Sequence, residues 1–142
     1  MEKTENQDSS VYTDIILELY KNPPNYGHLI GPNFKSSGGN PSCGDFVSFE
    51  AKIVDSKIVD IKFVGNGCAI SKASAAMLTE MVKGKNVEEV LKLEGQDMFE
   101  KLGQIIQTRI KCALVGLVIL KRGLEKFEQN SNGLVEVSGI KI

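Results

Sequence analysis

Residues 46–64 read FVSFEAKIVDSKIVDIKFV, and this stretch decides the fold of the chain. Polarity alternates over 46–54 and again over 58–64, and both runs are rich in β-branched and aromatic residues, which predicts two strands. Asp55-Ser56-Lys57 allows only a short connection, so the two strands form a hairpin. Phe46 and Val64 then lie at the same end of that hairpin.

Helical patterns lie on both sides of the hairpin. Hydrophobic spacing and capping residues predict five helices: four at about 10–21, 69–82, 96–106 and 110–127, and a short one that begins at Asn86. Residues 22–44 hold all four prolines and five glycines and are predicted to form a long loop. The tail at 130–142 becomes alternating in polarity, which leaves an added strand and a loose extension as alternatives.

The composition is that of one globular domain. The chain has 142 residues, 42% hydrophobic and 25% charged, with a net charge of -1, which gives no whole-protein attraction to nucleic acid or lipid. No apolar run reaches the ~18 residues that span a bilayer, and MEKTENQDSS lacks the order of a secretory signal. We therefore expect a cytoplasmic protein with residues 1–9 disordered, one domain at 10–128 and a carboxy-terminal extension at 129–142.

The three cysteines occupy comparable local settings. Cys43 lies in SCGD just before the first strand and Cys68 in GNGC just after the second, so the hairpin brings both to one edge of the sheet. Cys68 and Cys112 are predicted at helix starts, where the dipole and unpaired N–H groups favour a thiolate. Together with Asp45 they form a candidate four-ligand metal site.

This donor set favours a metal or cluster that can be exchanged. Structural zinc sites use closely spaced cysteine and histidine pairs, permanent iron–sulfur proteins supply four thiolates, and this chain has neither arrangement. A carboxylate is a weaker ligand than a fourth thiolate. For each cysteine taken singly, a small buried hydrophobic residue remains the alternative. The residues alone therefore indicate metal or sulfur chemistry and no more.

Five motifs occur in the order and with nearly the spacing of a known family. They are YKNPPNYG (20–27), PSCGD (41–45), GCAISKAS (67–74), TEMVKGK (79–85) and RIKCA (109–113). Over about residues 10–128 the chain resembles the U-type scaffolds of iron–sulfur cluster assembly, the group of the NifU amino-terminal domain, IscU and SufU. The resemblance implies an α+β fold, a small antiparallel β-sheet with helices packed on one face.

The resemblance also implies a function. Cys43, Cys68 and Cys112 match the family cysteines that hold a transient 2Fe–2S cluster, and Cys112 matches the usual first sulfur acceptor of the IscU branch. Asp45 matches an aspartate that is linked to cluster lability and binds zinc in some members. The implied partners are a cysteine desulfurase that supplies persulfide sulfur, apo iron–sulfur proteins that receive the cluster, and a second copy of the chain when cluster is bound. A scaffold of this kind is not an enzyme.

Departures from the family pattern leave alternatives open. Lys111 stands where IscU proteins have histidine, as in the SufU branch, and the LPPVK motif for a chaperone is missing. The insertion of many SufU proteins is also absent, since 43 residues (69–111) separate Cys68 from Cys112. A zinc-dependent sulfur acceptor that activates a desulfurase, a sulfurtransferase, is therefore the alternative to the scaffold. Asp45 is favoured as fourth ligand, and Lys111 and His28 remain candidates.

Overall fold

The structure, a computed structural model, describes residues 13–42, 44–103, 105–129 and 135–141. The helices are α1 (Asp14–Lys21), α2 (Ala69–Val82), α3 (Val87–Leu91), α4 (Gly95–Leu102) and α5 (Ile110–Gln129), with a 3-10 turn at Gln107–Arg109 before α5. The strands are β1 (Phe34–Asn40), β2 (Asp45–Val54), β3 (Lys57–Asn66) and β4 (Val135–Lys141).

The predicted hairpin is the centre of a four-stranded sheet with the order β3-β2-β1-β4. Strands β2 and β3 pair antiparallel from Phe46↔Asn66 to Val54↔Lys57. Asp55 and Ser56 connect them with φ values of 51° and 62°, the left-handed conformation that a two-residue hairpin turn requires. β1 pairs antiparallel with β2, whereas β4 pairs parallel with β1. The predicted α+β class is confirmed, with a parallel edge strand in addition.

The prediction of a continuous loop over 22–44 is wrong, because β1 lies within it. The sequence of β1, FKSSGGN, contains one large apolar residue and otherwise glycine, serine, lysine and asparagine, which are poor strand formers. Its strand conformation is imposed by backbone pairing with β2 on one side and β4 on the other. The tail prediction is decided in favour of an added strand, β4.

Helices α2 and α5 cover the inner face of the sheet. Alternate residues of β2 point inward and are buried, among them Phe49, which is fully buried. α5 comes close to the strands through small residues, and a Cβ atom added at Gly116 would lie 3.2 Å from the Phe49 ring. Ser36 in β1 donates a hydrogen bond of 2.8 Å to the carbonyl oxygen of Ile119, which ties α5 to the middle of the sheet.

The helix predictions agree with the structure at most boundaries. The limits of α2 coincide with the predicted 69–82, and α3 begins after Asn86 with a capping box closed by Glu89. α4 ends at Leu102, earlier than predicted, because Gly103 adopts a φ of 89°. The amino-terminal helix is described from Asp14, and the prediction of disorder at 1–9 lies outside the described residues.

The outer edge of β3 is closed by two loops. The N–H of Gly27 donates to the carbonyl of Phe63 at 2.8 Å, and the N–H of Phe63 donates to Asn25 at 3.0 Å. Further along, Ile58 exchanges hydrogen bonds of 2.7 and 2.9 Å with the segment at Gly84 and Lys85. These bonds engage the outward-facing backbone groups of Phe63 and Ile58.

Within the four described ranges, none of the helices combines the length and the apolar character that crossing a bilayer demands.

Candidate metal centre

Asp45 is the first residue of β2, and its side chain faces inward at the end of the sheet that carries the candidate centre. It pairs with Asn40 of β1 and is only 4% exposed. Its Oδ1 atom accepts the backbone N–H of Cys68 at 3.1 Å. Its Oδ2 atom is the one buried side-chain nitrogen or oxygen among the described residues that lacks a hydrogen-bond partner. An orphaned carboxylate oxygen is costly, so Asp45 has a free coordination position directed into the protein.

Cys68 is the N-cap residue of α2, with φ and ψ of -77° and 166°. Its side chain is half-buried. The hydroxyl of Ser71 donates to the carbonyl oxygen of Cys68 at 3.0 Å and lies 3.9 Å from Cys68 Sγ. Ser71 is 1% exposed, and it was not among the predicted site residues. Its position one helical turn after an N-cap cysteine was the available signal.

Gly67 makes room for the Asp45 carboxylate. Its φ is 141°, and a Cβ atom at this position would overlap Asp45 Oδ1 and lie 2.9 Å from the hydroxyl oxygen of Ser71. Glycine is therefore needed here both for backbone conformation and for space.

Cys112 is the third residue of α5 and is 1% exposed. Burial raises the pKa of its thiol to about 12, and the neighbouring Cys68 and Asp45 raise it further in the same direction. The prediction that its helix position favours a thiolate is wrong. The 3-10 turn at Gln107–Arg109 precedes α5 directly. Desolvation, together with the hydrogen-bonding and electrostatic effects of Cys68 and Asp45, outweighs the helix dipole at Cys112.

These elements bring together three of the four predicted ligands. One ligand atom from each of Asp45, Cys68 and Cys112 lies within 4.8 Å of the others. Two sulfurs and one carboxylate oxygen suit zinc or iron, and a cation there would offset the mutual repulsion of the three anionic forms and satisfy Asp45 Oδ2. The donor set therefore fits a metal ion or the iron of a cluster. Cys43 lies outside the described residues, between Ser42 and Gly44 in the turn from β1 to β2.

The other candidates for a fourth ligand are engaged elsewhere or point outward. The side chain of His28 is 69% exposed, and its Nδ1 lies 2.9 Å from Glu50 Oε2. The remaining carboxylate oxygen of Glu50 accepts the N–H of Leu29 at 2.8 Å. Lys111 is exposed at the start of α5, while Cys112 beside it is buried. His28 does not belong to the cluster of potential metal ligands found among the described residues.

A cationic surface feature lies one turn along α2 from Cys68. The ammonium group of Lys72 lies 5.2 Å from the ring centroid of Tyr20 and 4.8 Å from that of Tyr26, within the range of cation–π attraction. Both tyrosines remain exposed, at 41% and 43%. The three residues come from two of the sequence motifs, so the motifs meet on the surface near the candidate centre.

The fold and the centre together define a small α+β protein with a site lined by two cysteines and a carboxylate at one end of its sheet. The chain belongs to the NifU-like N terminal domain family, whose model matches residues 11–133. The resemblance that the five motifs indicated is thereby confirmed.

Relatives and solved structures agree with this assignment. The chain is 35% identical over 121 residues to the iron–sulfur cluster assembly scaffold protein IscU 1 of Archaeoglobus fulgidus, covering 84% of this chain and 79% of that protein. It is 34% identical over 137 residues to the zinc-dependent sulfurtransferase SufU of Bacillus subtilis, covering 84% and 92%. A crystal structure of a proposed scaffold protein for the SUF system from Fervidobacterium islandicum is 30% identical, with a TM-score of 0.69 over 82% of this chain and 98% of that one.

Proposed function

We propose that this protein is a scaffold on which an iron–sulfur cluster is assembled and then passed to apo-proteins. The observation that carries the proposal is the gathering of Asp45, Cys68 and Cys112 within 4.8 Å, with Asp45 Oδ2 buried and without a partner. Relatives named as IscU scaffolds over most of the chain support it. Cys43 is the proposed additional thiolate ligand, which makes three thiolates and one carboxylate for a transient 2Fe–2S cluster.

The carboxylate is the ligand that makes the cargo exchangeable. Thiolates bind iron more tightly than a carboxylate does, and proteins that keep a cluster supply four thiolates. Asp45 is held by one hydrogen bond from the Cys68 N–H. It can leave a metal and keep that hydrogen bond, so it is the ligand at which an acceptor protein would begin to take the cluster.

Sulfur would arrive as a persulfide on a partner cysteine desulfurase. A thiolate of this chain attacks the outer sulfur of that persulfide, the sulfur–sulfur bond breaks, and the desulfurase cysteine leaves as a thiolate. Cys112 is the acceptor that the family resemblance implies. It is 1% exposed and its pKa is raised to about 12, first by burial, so sulfur transfer to it requires both exposure and deprotonation.

Anaerobic reconstitution with ferrous iron, a desulfurase, cysteine and a thiol reductant, which reduces the persulfide sulfur to sulfide, tests the scaffold proposal. We expect visible absorption of a 2Fe–2S cluster, with acid-labile sulfide and iron in equal amounts, and loss of this chromophore when an apo-ferredoxin is added. In Asp45→Ala the cluster should form and leave more slowly, because the exchangeable ligand is gone. Glu50→Ala, a carboxylate removed from the same strand away from the centre, is the matched control. Cluster loss from Asp45→Ala that equals or exceeds that of the control would contradict the proposal.

A zinc-dependent sulfurtransferase is the second candidate. The side chain at 111 is an exposed lysine and no histidine is present in the described cluster, and the chain is 34% identical to a relative named for that activity. In this case Zn²⁺ would hold Asp45 and the thiolates, and one thiolate would leave the metal to accept sulfur. Tight zinc retention, no chromophore on reconstitution and faster desulfurase turnover would select this candidate. Unchanged desulfurase turnover would exclude it.

A further inference from the structure

The amino end of α2 is capped without the side chain of its cap residue. An N-cap residue commonly uses its side chain to accept an N–H of the first helical turn, but among the described residues Cys68 makes no such bond. Its own backbone N–H donates to Asp45 Oδ1 at 3.1 Å. The start of the helix therefore fixes the backbone of Cys68 and leaves its Sγ atom available to the candidate centre.

Ser71 borders both of these candidate ligands. It is the third residue of α2 and is 1% exposed. Its hydroxyl oxygen donates to the Cys68 carbonyl oxygen at 3.0 Å and lies 3.9 Å from Cys68 Sγ. A Cβ atom at Gly67 would lie 2.9 Å from this hydroxyl oxygen and would overlap Asp45 Oδ1. The buried hydroxyl and the buried carboxylate therefore meet at the same glycine, on either side of Cys68.

The hydroxyl of Ser71 has two possible acceptors. The Cys68 carbonyl also accepts the backbone N–H of Lys72 at 3.2 Å, so it stays hydrogen-bonded when the hydroxyl turns away. A hydroxyl hydrogen rotates about its C–O bond to suit its acceptor. A metal-bound cysteine sulfur is a thiolate, which has no proton to donate and can accept a hydrogen bond. Turning the Ser71 hydroxyl to Sγ therefore leaves no backbone group of Cys68 unpaired.

We propose that Ser71 is a positioning residue of the centre, whose hydroxyl donates a hydrogen bond to Cys68 Sγ when this sulfur holds a metal ion. Hydrogen bonds to metal ligands orient them and tune the metal. Cys68 is then held both at its backbone N–H and at its sulfur, which makes it the ligand that stays bound while Asp45 is exchanged. The inference rests on the proposed function in one respect, that the centre holds a metal, and it applies to zinc and to iron alike.

Binding of Co²⁺ to anaerobic, metal-free protein tests this role, because a cobalt–thiolate bond gives a charge-transfer band in the near ultraviolet. In Ser71→Ala we expect the band to move to longer wavelength, since the sulfur electron pairs lose the hydrogen bond that stabilises them. The Co²⁺ affinity, measured by competition with a chromophoric chelator, should fall by about tenfold or more. Ser71→Thr keeps the hydroxyl and should restore the wild-type band.

Ser74→Ala is the matched control. Ser74 lies one turn further along α2, is also 1% exposed, and its hydroxyl donates to the carbonyl three residues earlier, that of Ser71, at 3.1 Å. The two alanine variants therefore lose the same kind of buried hydrogen bond, and urea unfolding of the metal-free proteins should show similar losses of stability. Only Ser71→Ala should change the Co²⁺ affinity and the charge-transfer band.

The band decides the outcome. The role of Ser71 is refuted if the band of Ser71→Ala stays at the wild-type wavelength, if Ser74→Ala moves it equally, or if folded Ser71→Thr behaves as Ser71→Ala does. Absence of a charge-transfer band from the wild-type protein would refute the metal centre itself, and the proposed function with it. Because Co²⁺ binding requires no cluster assembly, a band shifted in Ser71→Ala alone supports the role of Ser71 even if reconstitution yields no cluster.

Discussion

Replacing Gly67 by alanine should disable the candidate centre through a single methyl group. The new Cβ would overlap Asp45 Oδ1 and crowd the hydroxyl of Ser71 at 2.9 Å. The carboxylate must then move, and the hydrogen bond that it accepts from the Cys68 N–H is lost. The residue at 67 would also be forced to keep a φ of 141°, which L-residues rarely adopt.

The structure provides a control that separates backbone strain from displacement of the Asp45 carboxylate. Gly27 has a φ of 129°, and a Cβ atom there would meet nothing within 4 Å. Backbone strain should lower the free energy of unfolding by about 1 to 3 kcal/mol in both Gly27→Ala and Gly67→Ala. Gly67→Ala should lose a further ~1.5 to 3 kcal/mol, since its substitution also breaks a hydrogen bond to a charged group. The difference between the two variants, about 2 kcal/mol, measures the displacement of Asp45.

Urea unfolding of chelator-treated protein gives the two free energies of unfolding, and competition with a chromophoric chelator gives the zinc affinities. Displacement of a ligand should lower the zinc affinity of Gly67→Ala by at least the ~10- to 100-fold seen for weaker, outer-sphere changes, with Gly27→Ala close to wild type. Equal zinc affinity and equal stability in the two variants would refute the placement of Asp45 against Gly67.

Two further predictions concern the stability of the protein. Burial raises the pKa of Glu50, but hydrogen bonds from His28 and from a backbone N–H outweigh it, so the net shift is downward. Because the pKa of Glu50 is lower in the folded state, its ionised form stabilises the fold at pH values above the ordinary pKa of 4.5. This stabilisation is lost as the pH falls through the pKa of the folded state. Between pH 7 and pH 3, the free energy of unfolding measured in urea should thus fall by about 1 kcal/mol more in wild type than in Glu50→Gln. Parallel pH profiles for the two proteins would contradict this. Gly123→Ala should lower the free energy of unfolding by about 1 to 3 kcal/mol, because the new methyl group overpacks against Ser36. The better helix propensity of alanine does not offset this loss. In the control variant Gly95→Ala the new methyl group meets only a flexible leucine side chain at 3.1 Å, so its stability should be unchanged. Equal changes of melting temperature in Gly123→Ala and Gly95→Ala would refute the overpacking.

Elements with their own periodic pattern could be predicted from the sequence. The β2–β3 hairpin follows from alternation over two runs and a short connection, and α2 from AISKASAAMLTEMV between Cys68 and Gly84. β1 could not be predicted, because FKSSGGN has no alternating apolar pattern and becomes a strand only between its two neighbours. Its conformation is a property of the assembled sheet and is not visible in a local window.

The residues of the centre were more predictable than their chemical state. Motif spacing identified Asp45, Cys68 and Cys112 as candidates, and the structure gathers their ligand atoms; their roles stay predictions. The thiolate expected for Cys112 was wrong, because burial depends on which elements pack over α5 and cannot be judged from position in a helix. Ser71 was missed because its signal, a position one helical turn after Cys68, becomes distinctive only once Cys68 is known to be the N-cap of α2.

The closed edge of β3 limits how copies of this chain can associate. The loops at Asn25 and Gly84 occupy the outward hydrogen-bonding groups of Phe63 and Ile58, which hinders strand addition on that side of the sheet. β4 is the strand at the opposite edge. A continuous sheet across two molecules would therefore form more readily through the carboxy-terminal strand β4 than through β3.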